Sequence, residues 1–386
     1  MAMHMTPTEM LARLVSFPTE PHASNLPIIH FIADYLTGHG VGSHIVPSPD
    51  GTKANLFATI GPVADGGVVL SGHTDVVSVA GQDWSSDPWT LTERDAKLYG
   101  RGSCDMKGFD ALGLALVPQM LKAGLKRPIH LALSYDEEIG CIGAPFMITE
   151  MVRQGLKPSA VIVGEPSMMQ VVTGHKGGTR MQTTVRGYAV HSSRMDLGVS
   201  AVMVAARLIT WHEDQMIARI SRTDPETPFV PPYATFHSGI VNGGTGSNIT
   251  AELCSFSSEF RVIPPENPME DYERYLAYIR DVIEPPMKAR SAKSGVDVEL
   301  ICSIPPLKPE IDGEAERLAR RLTGDNGSHV VAYGTEGGQF QEAGWSTIVC
   351  GPGDIAQAHQ ANEFIAISQL AAGEAFVRNL MAELSR

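Results

Sequence analysis

No apolar run in this chain is long enough to cross a bilayer, and no charged-then-apolar leader stands at its start. A membrane partner is therefore not expected, and a cytoplasmic location is. Positive charge is in deficit: 30 Lys and Arg stand against 43 Asp and Glu, a formal net charge of −13. Such a surface repels a phosphate backbone, which excludes a nucleic-acid partner but leaves a small substrate unconstrained. Cysteine is sparse. The five residues, Cys104, Cys141, Cys254, Cys302 and Cys350, are odd in number, widely spaced and in no zinc-finger pattern. A reduced compartment fits that usage better than a disulfide framework does. Tandem repeats and low-complexity tracts are missing too. The 38 Gly and 26 Pro are scattered, so they mark turns rather than a disordered tract.

What is present is enough for two domains, since 386 residues exceed what one core usually supports. Thr6-Pro7-Thr8-Glu9 reads as a helix start, with a Thr cap, Pro at the first helical position and Glu at the third. MLARLV and LPIIHFIADYLTGHG continue with helical spacing. NLFATI, GGVVLSGHTD, IHLALSY and AVIVGEP are short β-rich runs, and DALGLALVPQMLKAG is a helix of crossover length between two of them. Strands alternating with helices predict an α/β domain with a mostly parallel central sheet. After Lys176 the pattern becomes β-α-β-β-α-β: TRMQTTVRG, VSAVMVAARLITWHEDQ, ATFHSGIVNG, ELCSFSSEFRVIP, MEDYERYLAYIRDVIE and VDVELICSI. That order predicts a smaller α+β, ferredoxin-like insert over residues 178–305. It interrupts an α/β domain formed by residues 1–177 and 306–386, where GEAERLARRL, STIVCGPG and a last helix resume the first pattern.

Several polar residues follow the predicted strand ends. In SGHTDVV, His73 and Asp75 would share a face if the strand continues through them, and a carboxylate behind an imidazole is a common metal-ligand arrangement. The same pair also satisfies an ordinary strand end. Asp105 stands between glycines in GRGSCDMKG, where a tight turn explains it equally well. Glu165 follows a buried strand in VIVGEPS, where ligands gather in open α/β sheets, and His359 lies in the polar loop GPGDIAQAHQANE. LALSYDEEIG ends an apolar run in three acids, Asp136, Glu137 and Glu138, which either crowd a solvated turn or serve a site. Taken together, two imidazoles and three carboxylates (His73, Asp105, Glu138, Glu165 and His359) suit two divalent first-row ions, most simply zinc. One carboxylate would bridge them about 3.5–4 Å apart.

SGHTDVV, GRGSCDMKG, DEEIG, GEPS and AHQANE occur in the order found in the M20 metallopeptidase family, and the resemblance spans nearly the whole chain, insert included. Within it, GHTDVV…GQDWSSDPW and YGTEGGQFQEAGWSTIVCGPGDIAQAHQANEF are most similar to the acetylornithine deacetylase branch. The resemblance implies two Zn2+, with Co2+ as a substitute. Asp105 would bridge them, His73 and Glu165 would complete one site, and Glu138 and His359 the other. Asp75 would orient His73. Glu137 would act as general base, taking a proton from the attacking water and passing it to the leaving amine. The insert would be a lid through which a homodimer forms, with His191 of GYAVHSSRMDLG stabilising an oxyanion in the other subunit's site. Asn248 and Arg261 would bind the substrate's α-carboxylate. Glu336 of GTEGG would face a cationic side chain such as that of ornithine, or is an ordinary turn acid. Asp136 keeps no role and is expected to face solvent or a loop. The implied substrate is an N-acyl amino acid, first N2-acetyl-L-ornithine in arginine biosynthesis. Succinyl-diaminopimelate, a broad range of N-acyl amino acids, or a non-catalytic binding role are the alternatives. The sequence departs from the family pattern at Ser78, Ala80, Val190, Met195 and Ala361. None of these is an expected ligand; they bear on substrate choice.

Overall fold

The computed structural model describes residues 4–386, so the first three positions of the segment 1–177 lie outside the described residues. The chain divides into two compact units: residues up to Gly174 with Leu307–Val330 and Thr335–Arg386, and His175–Pro306 with Val331–Gly334. Among the described residues no helix is long and apolar enough to cross a membrane.

The first unit is built on an eight-stranded sheet. Its strands run in the order Ser43–Pro47, Ala54–Ile60, Ile129–Ser134, Val68–His73, Ala160–Pro166, Thr347–Gly351, Val172–His175 and His329–Val331. The four central strands are parallel. Every residue of Val68–His73 and of Ile129–Ser134 is buried, as expected of a sheet covered on both faces. Leu70, Leu131, Ile162 and Ile348 enter one core with Leu11, Leu14, Leu112 and Leu380 from the helices. Each such side chain contributes roughly 1.5–3 kcal/mol on burial.

Local chemistry sets the helix ends. Glu9 N–H donates to Thr6 Oγ1 at 3.2 Å and Thr6 N–H to Glu9 Oε2 at 2.8 Å, closing a reciprocal cap on helix Pro7–Val15. The helix expected over Asp110–Gly124 instead runs from Lys107 to Ala115 and restarts as the short turn Val117–Met120. Pro118 has no N–H to continue the ladder, which is why the helix breaks there. Helix Ile367–Leu384 buries Leu370, Gly373, Val377, Leu380 and Leu384, one stripe at three- and four-residue spacing.

The second unit has a four-stranded antiparallel sheet, in the order Thr235–Gly243, Leu253–Val262, Gly177–Arg186, Gly295–Ile304. Leu253–Val262 alternates strictly, so Cys254, Phe256, Phe260 and Val262 point into a core shared with Leu208 of helix Ala201–Ile220 and Tyr275 of helix Pro268–Tyr278.

Candidate functional site

The carboxyl ends of the central strands in the first unit carry the chemistry. His73 is the last residue of its strand, Glu165 the last but one of its own, and Glu137 and Glu138 follow Ile129–Ser134. Asp105 lies just before helix Lys107–Ala115, and His359 lies in the loop after Thr347–Gly351. This is the edge where open α/β sheets bind ligands.

Asp105 sits between the two imidazoles. Its Oδ1 is 3.2 Å from His73 Nε2, and its Oδ2 is 3.5 Å from His359 Nε2. Glu165 Oε1 stands 3.6 Å from His73 Nε2, and Glu138 Oε2 stands 2.9 Å from His359 Nε2. All five residues expected to gather at the site are thus together. The tautomer of His73 bears on what belongs between them. Its Nδ1 is 2.9 Å from the backbone carbonyl of Asp75, and a carbonyl only accepts, so Nδ1 carries a hydrogen. Nε2 then faces two carboxylates either with a second proton or with a bare lone pair, an arrangement that fits a cation between the ring and the acids.

Electrostatics agree with that fit. Burial opposes a charge on His73, yet Asp105, Asp75, Glu165 and Glu137 together hold its pKa well above the usual imidazole value. Hydrogen bonds to Asp105 and Glu138 raise His359 to about 10. Burial, then the charge of Asp105, pushes Glu138 up to about 7 and Glu165 well above the carboxylate range. Asp105 is also opposed by burial but is held low by its bonds to both imidazoles. So many acids with so little positive charge near them is the state that bound cations relieve.

Ligand atoms of His73, Glu137 and Glu165 lie within 4.8 Å of one another, and so do those of His73, Asp105 and Glu138. Either group could hold a metal ion, so distance alone does not separate Glu137 from the ligands. The partition by the two Asp105 oxygens is the better guide, because each of those contacts is a specific atom pair that includes an imidazole nitrogen. Glu137 also has a separate partner: its Oε1 accepts from Cys141 Sγ at 3.2 Å.

Two residues are placed differently from expectation, and for a third the structure selects between two expected places. The carboxylate of Asp75 does not chiefly hold His73; its nearest oxygen is 3.6 Å from Nδ1. It accepts instead from the backbone N–H of Glu137 at 3.2 Å and of Glu138 at 3.1 Å, so it fixes the acidic turn, while its carbonyl orients the ring. Glu336 is neither an open turn acid nor open to a substrate cation. It is 1% exposed, and its carboxylate accepts from Ser134 Oγ and, at 3.4 Å, from Ser71 Oγ. Hydroxyls on two adjacent strands draw it inward, and burial raises it to about 7. Asp136 takes the second of its two expected places, facing a loop and not solvent: it is buried with φ +55°, and its carboxylate pairs with Lys53 of the loop before strand Ala54–Ile60, whose Nζ also donates to the Pro21 carbonyl.

His191, Asn248 and Arg261 belong to the second unit. His191 is exposed, and its Nδ1 accepts from Ser193 N–H at 3.3 Å and lies 2.8 Å from Ser193 Oγ, which leaves the hydrogen on Nε2. Asn248 accepts from Ser192 N–H through its carbonyl at 2.9 Å. Arg261 is bound in a fork by Glu259 at 3.1 and 3.2 Å, and lines a cavity of about 30 Å³ with Lys176 and Arg180.

Reading the sequence missed four contributors. Arg101, Glu363 and Gln82 lie inside GRGSCDMKG, AHQANE and GQDWSSDPW, stretches that suggest no role for them individually; Cys141 carries no signal.

With this geometry in place, comparison with known proteins is direct. Peptidase family M20/M25/M40 matches residues 69–383, and the chain belongs to that family: it is a metal-dependent amidohydrolase. Among curated proteins it is similar to the acetylornithine deacetylase of Proteus mirabilis, 32% identical over 365 residues that cover 92% of this chain and 91% of the relative. Among solved structures it is similar in fold to an M20 metallo-carboxypeptidase of Sulfolobus solfataricus, with TM-score 0.75, 17% identity and 99% of each chain covered. A dinuclear metal-binding M20 peptidase of Bacillus subtilis has TM-score 0.63, 15% identity and 98% of each chain covered.

Proposed function

We propose that this chain is a dinuclear zinc-dependent deacylase that hydrolyses N2-acetyl-L-ornithine to L-ornithine and acetate, with cobalt as a substitute for zinc. The observation that carries the two-ion reading is Asp105, with one oxygen toward His73 and the other toward His359. His73 and Glu165 would hold one ion with Asp105, and Glu138 and His359 the other. Two such ions supply Lewis acidity and lower the pKa of the attacking water toward about 7. Glu137 accepts the proton of that water on its carboxylate and delivers it to the departing amine nitrogen. Asp75 keeps Glu137 and Glu138 in place through their backbone amides. In the other subunit's site, His191 would present Nε2–H as a donor for the developing oxyanion. Arg261 and Asn248 suit the substrate's α-carboxylate, and the neighbouring Lys176 and Arg180 add positive charge around Arg261.

The substrate rests on the curated relatives that carry that activity. It is tested by comparing kcat/KM for N-acetylornithine, N-succinyl-diaminopimelate and N-acetylmethionine, with zinc and with cobalt. N-acetylornithine is expected to lead in both. If N-acetylmethionine leads by about tenfold or more, the substrate is a neutral N-acyl amino acid instead. If the succinyl compound leads, the chain is a desuccinylase, and if none is turned over the substrate lies outside these three classes.

The second unit is proposed as the dimerisation domain. Strand Thr235–Gly243 is an edge of its sheet and exposes Ile240 at 61% and Val241 at 52%, an open apolar edge of the kind that pairs with another copy. The wild-type chain is expected to sediment as a dimer, and Val241→Lys to weaken dimerisation about tenfold or more. A monomeric wild type at micromolar concentration would sink the assignment. The five free cysteines fit the cytoplasm as the place of action.

A further inference from the structure

Asp105 and His359 stand on two different loops, and one buried carboxylate ties those loops together. Glu363 is 1% exposed and accepts four hydrogen bonds from the segment that carries Asp105. Its Oε1 receives Cys104 N–H at 2.8 Å and Asp105 N–H at 3.0 Å; its Oε2 receives Gly102 N–H at 3.0 Å and an Arg101 guanidinium N–H at 2.8 Å. Arg101 is equally buried, and it donates again to the Gln360 carbonyl at 3.3 Å and to Gln82 Oε1. Gln82 closes the circuit by donating through Nε2 to the His359 carbonyl at 2.9 Å. His359 itself has φ +63°, a left-handed conformation that an unassisted imidazole residue rarely keeps.

A buried ion pair with this many backbone partners is an expensive thing to place in a loop. A generic fold-stabilising pair has no need to converge on the amide of one site carboxylate and, through Gln82, on the carbonyl of one site imidazole. We propose that Arg101 and Glu363 form a positioning clamp that holds Asp105 against His359, and so sets the affinity for the cation shared by Asp105, Glu138 and His359. Neither residue touches that cation. The clamp rests on the two-ion reading given above, and it predicts an asymmetry that the reading alone does not. His73 and Glu165 are held by their own strands, so the ion on their side depends on the clamp only through Asp105. The ion on the His359 side depends on it twice.

The test is a calorimetric titration of metal-free protein with Co2+, followed also through the cobalt d–d absorption bands, for the wild type, Glu363→Gln and Gln82→Ala. Circular dichroism and melting of the metal-free proteins show which are folded. Wild type is expected to take up two equivalents. Glu363→Gln is expected to weaken one of them about 10- to 100-fold, with altered bands for that equivalent, and to leave the other within about threefold. Gln82→Ala leaves no buried charge unpaired and is expected to weaken the same equivalent to a smaller degree. A folded Glu363→Gln that binds both equivalents like wild type overturns the clamp, as does one that weakens both equally. If Glu363→Gln does not fold, an unchanged Gln82→Ala titration overturns it. A wild type that takes up only one equivalent overturns the two-ion reading and removes the site on which the clamp acts.

Discussion

Glu137→Gln is expected to lower kcat for N-acetylornithine by about 10³-fold while leaving metal content and KM within about threefold, because general-base catalysis is worth roughly 10²–10⁴-fold. The amide keeps the volume and the hydrogen-bond acceptor but has no basic oxygen to take the proton. Burial, then the charges of Glu138, Glu336 and Asp105 against the opposing pull of His73, raises Glu137 to about 8. That places the carboxylate near the pH at which it must both accept and release a proton, and bound cations would bring it down from there. Steady-state kinetics with elemental analysis of the same preparation make the measurement. The contrast with Glu138→Gln is what gives it force. Glu137 lies close enough to His73 and Glu165 to be a ligand by distance, so a loss of metal in Glu137→Gln would move it from base to ligand. Glu138→Gln, beside His359 at 2.9 Å, is expected to lose both metal and rate.

Asp105→Ala has the other large effect. Both proposed ions depend on this one side chain, so bound zinc is expected to fall to a small fraction of the wild-type content. The charge stabilisation lost with it, several kcal/mol, corresponds to a drop in kcat/KM of about 10³–10⁴-fold. Thermal melting offers a second readout. A ligand that binds only the folded state raises the melting temperature, so the increase that zinc produces in the wild type should vanish in Asp105→Ala. His359→Ala is the control, since it removes a ligand from one side only and is expected to keep about one equivalent. An Asp105→Ala protein that still holds two equivalents would falsify the bridging assignment.

How far each element could be read in advance follows from how local its cause is. The cap at Thr6 and Glu9 needs only residues three apart, and it forms as the sequence reads. The strand Leu253–Val262 declares itself by strict alternation. Helix Ala144–Arg153 goes unrecognised in the sequence, since Pro145 follows directly on a turn and only Ala144, Met147, Ile148 and Met151 mark its buried face. The short strands Ser43–Pro47, Val172–His175 and His329–Val331 escape as well, because three to five residues hold too little periodicity to stand out from loops. The break in the helix at Leu116 was signalled by Pro118 and outvoted by the apolar run around it.

The site divides in the same way. Donor type and motif order are properties of the chain, so His73, Asp105, Glu138, Glu165 and His359 could be named from it. Their meeting is also foreseeable, because parallel strands deliver their carboxyl ends to one edge. What each oxygen does is not local. Asp75 serves amides 62 and 63 residues away, Glu363 serves amides 258 to 261 residues away, and Glu336 reaches serines 202 and 265 residues away. A buried carboxylate bonds whichever donors the packed strands and loops bring within about 3 Å, so its partners are settled only when the chain has closed on itself. The sequence by itself determined the family, the periodicity of the long elements and the chemistry of the donor set. Only the tertiary structure decided that Asp136 pairs with Lys53, that Glu336 turns inward, and that Glu363 grips the loop of Asp105.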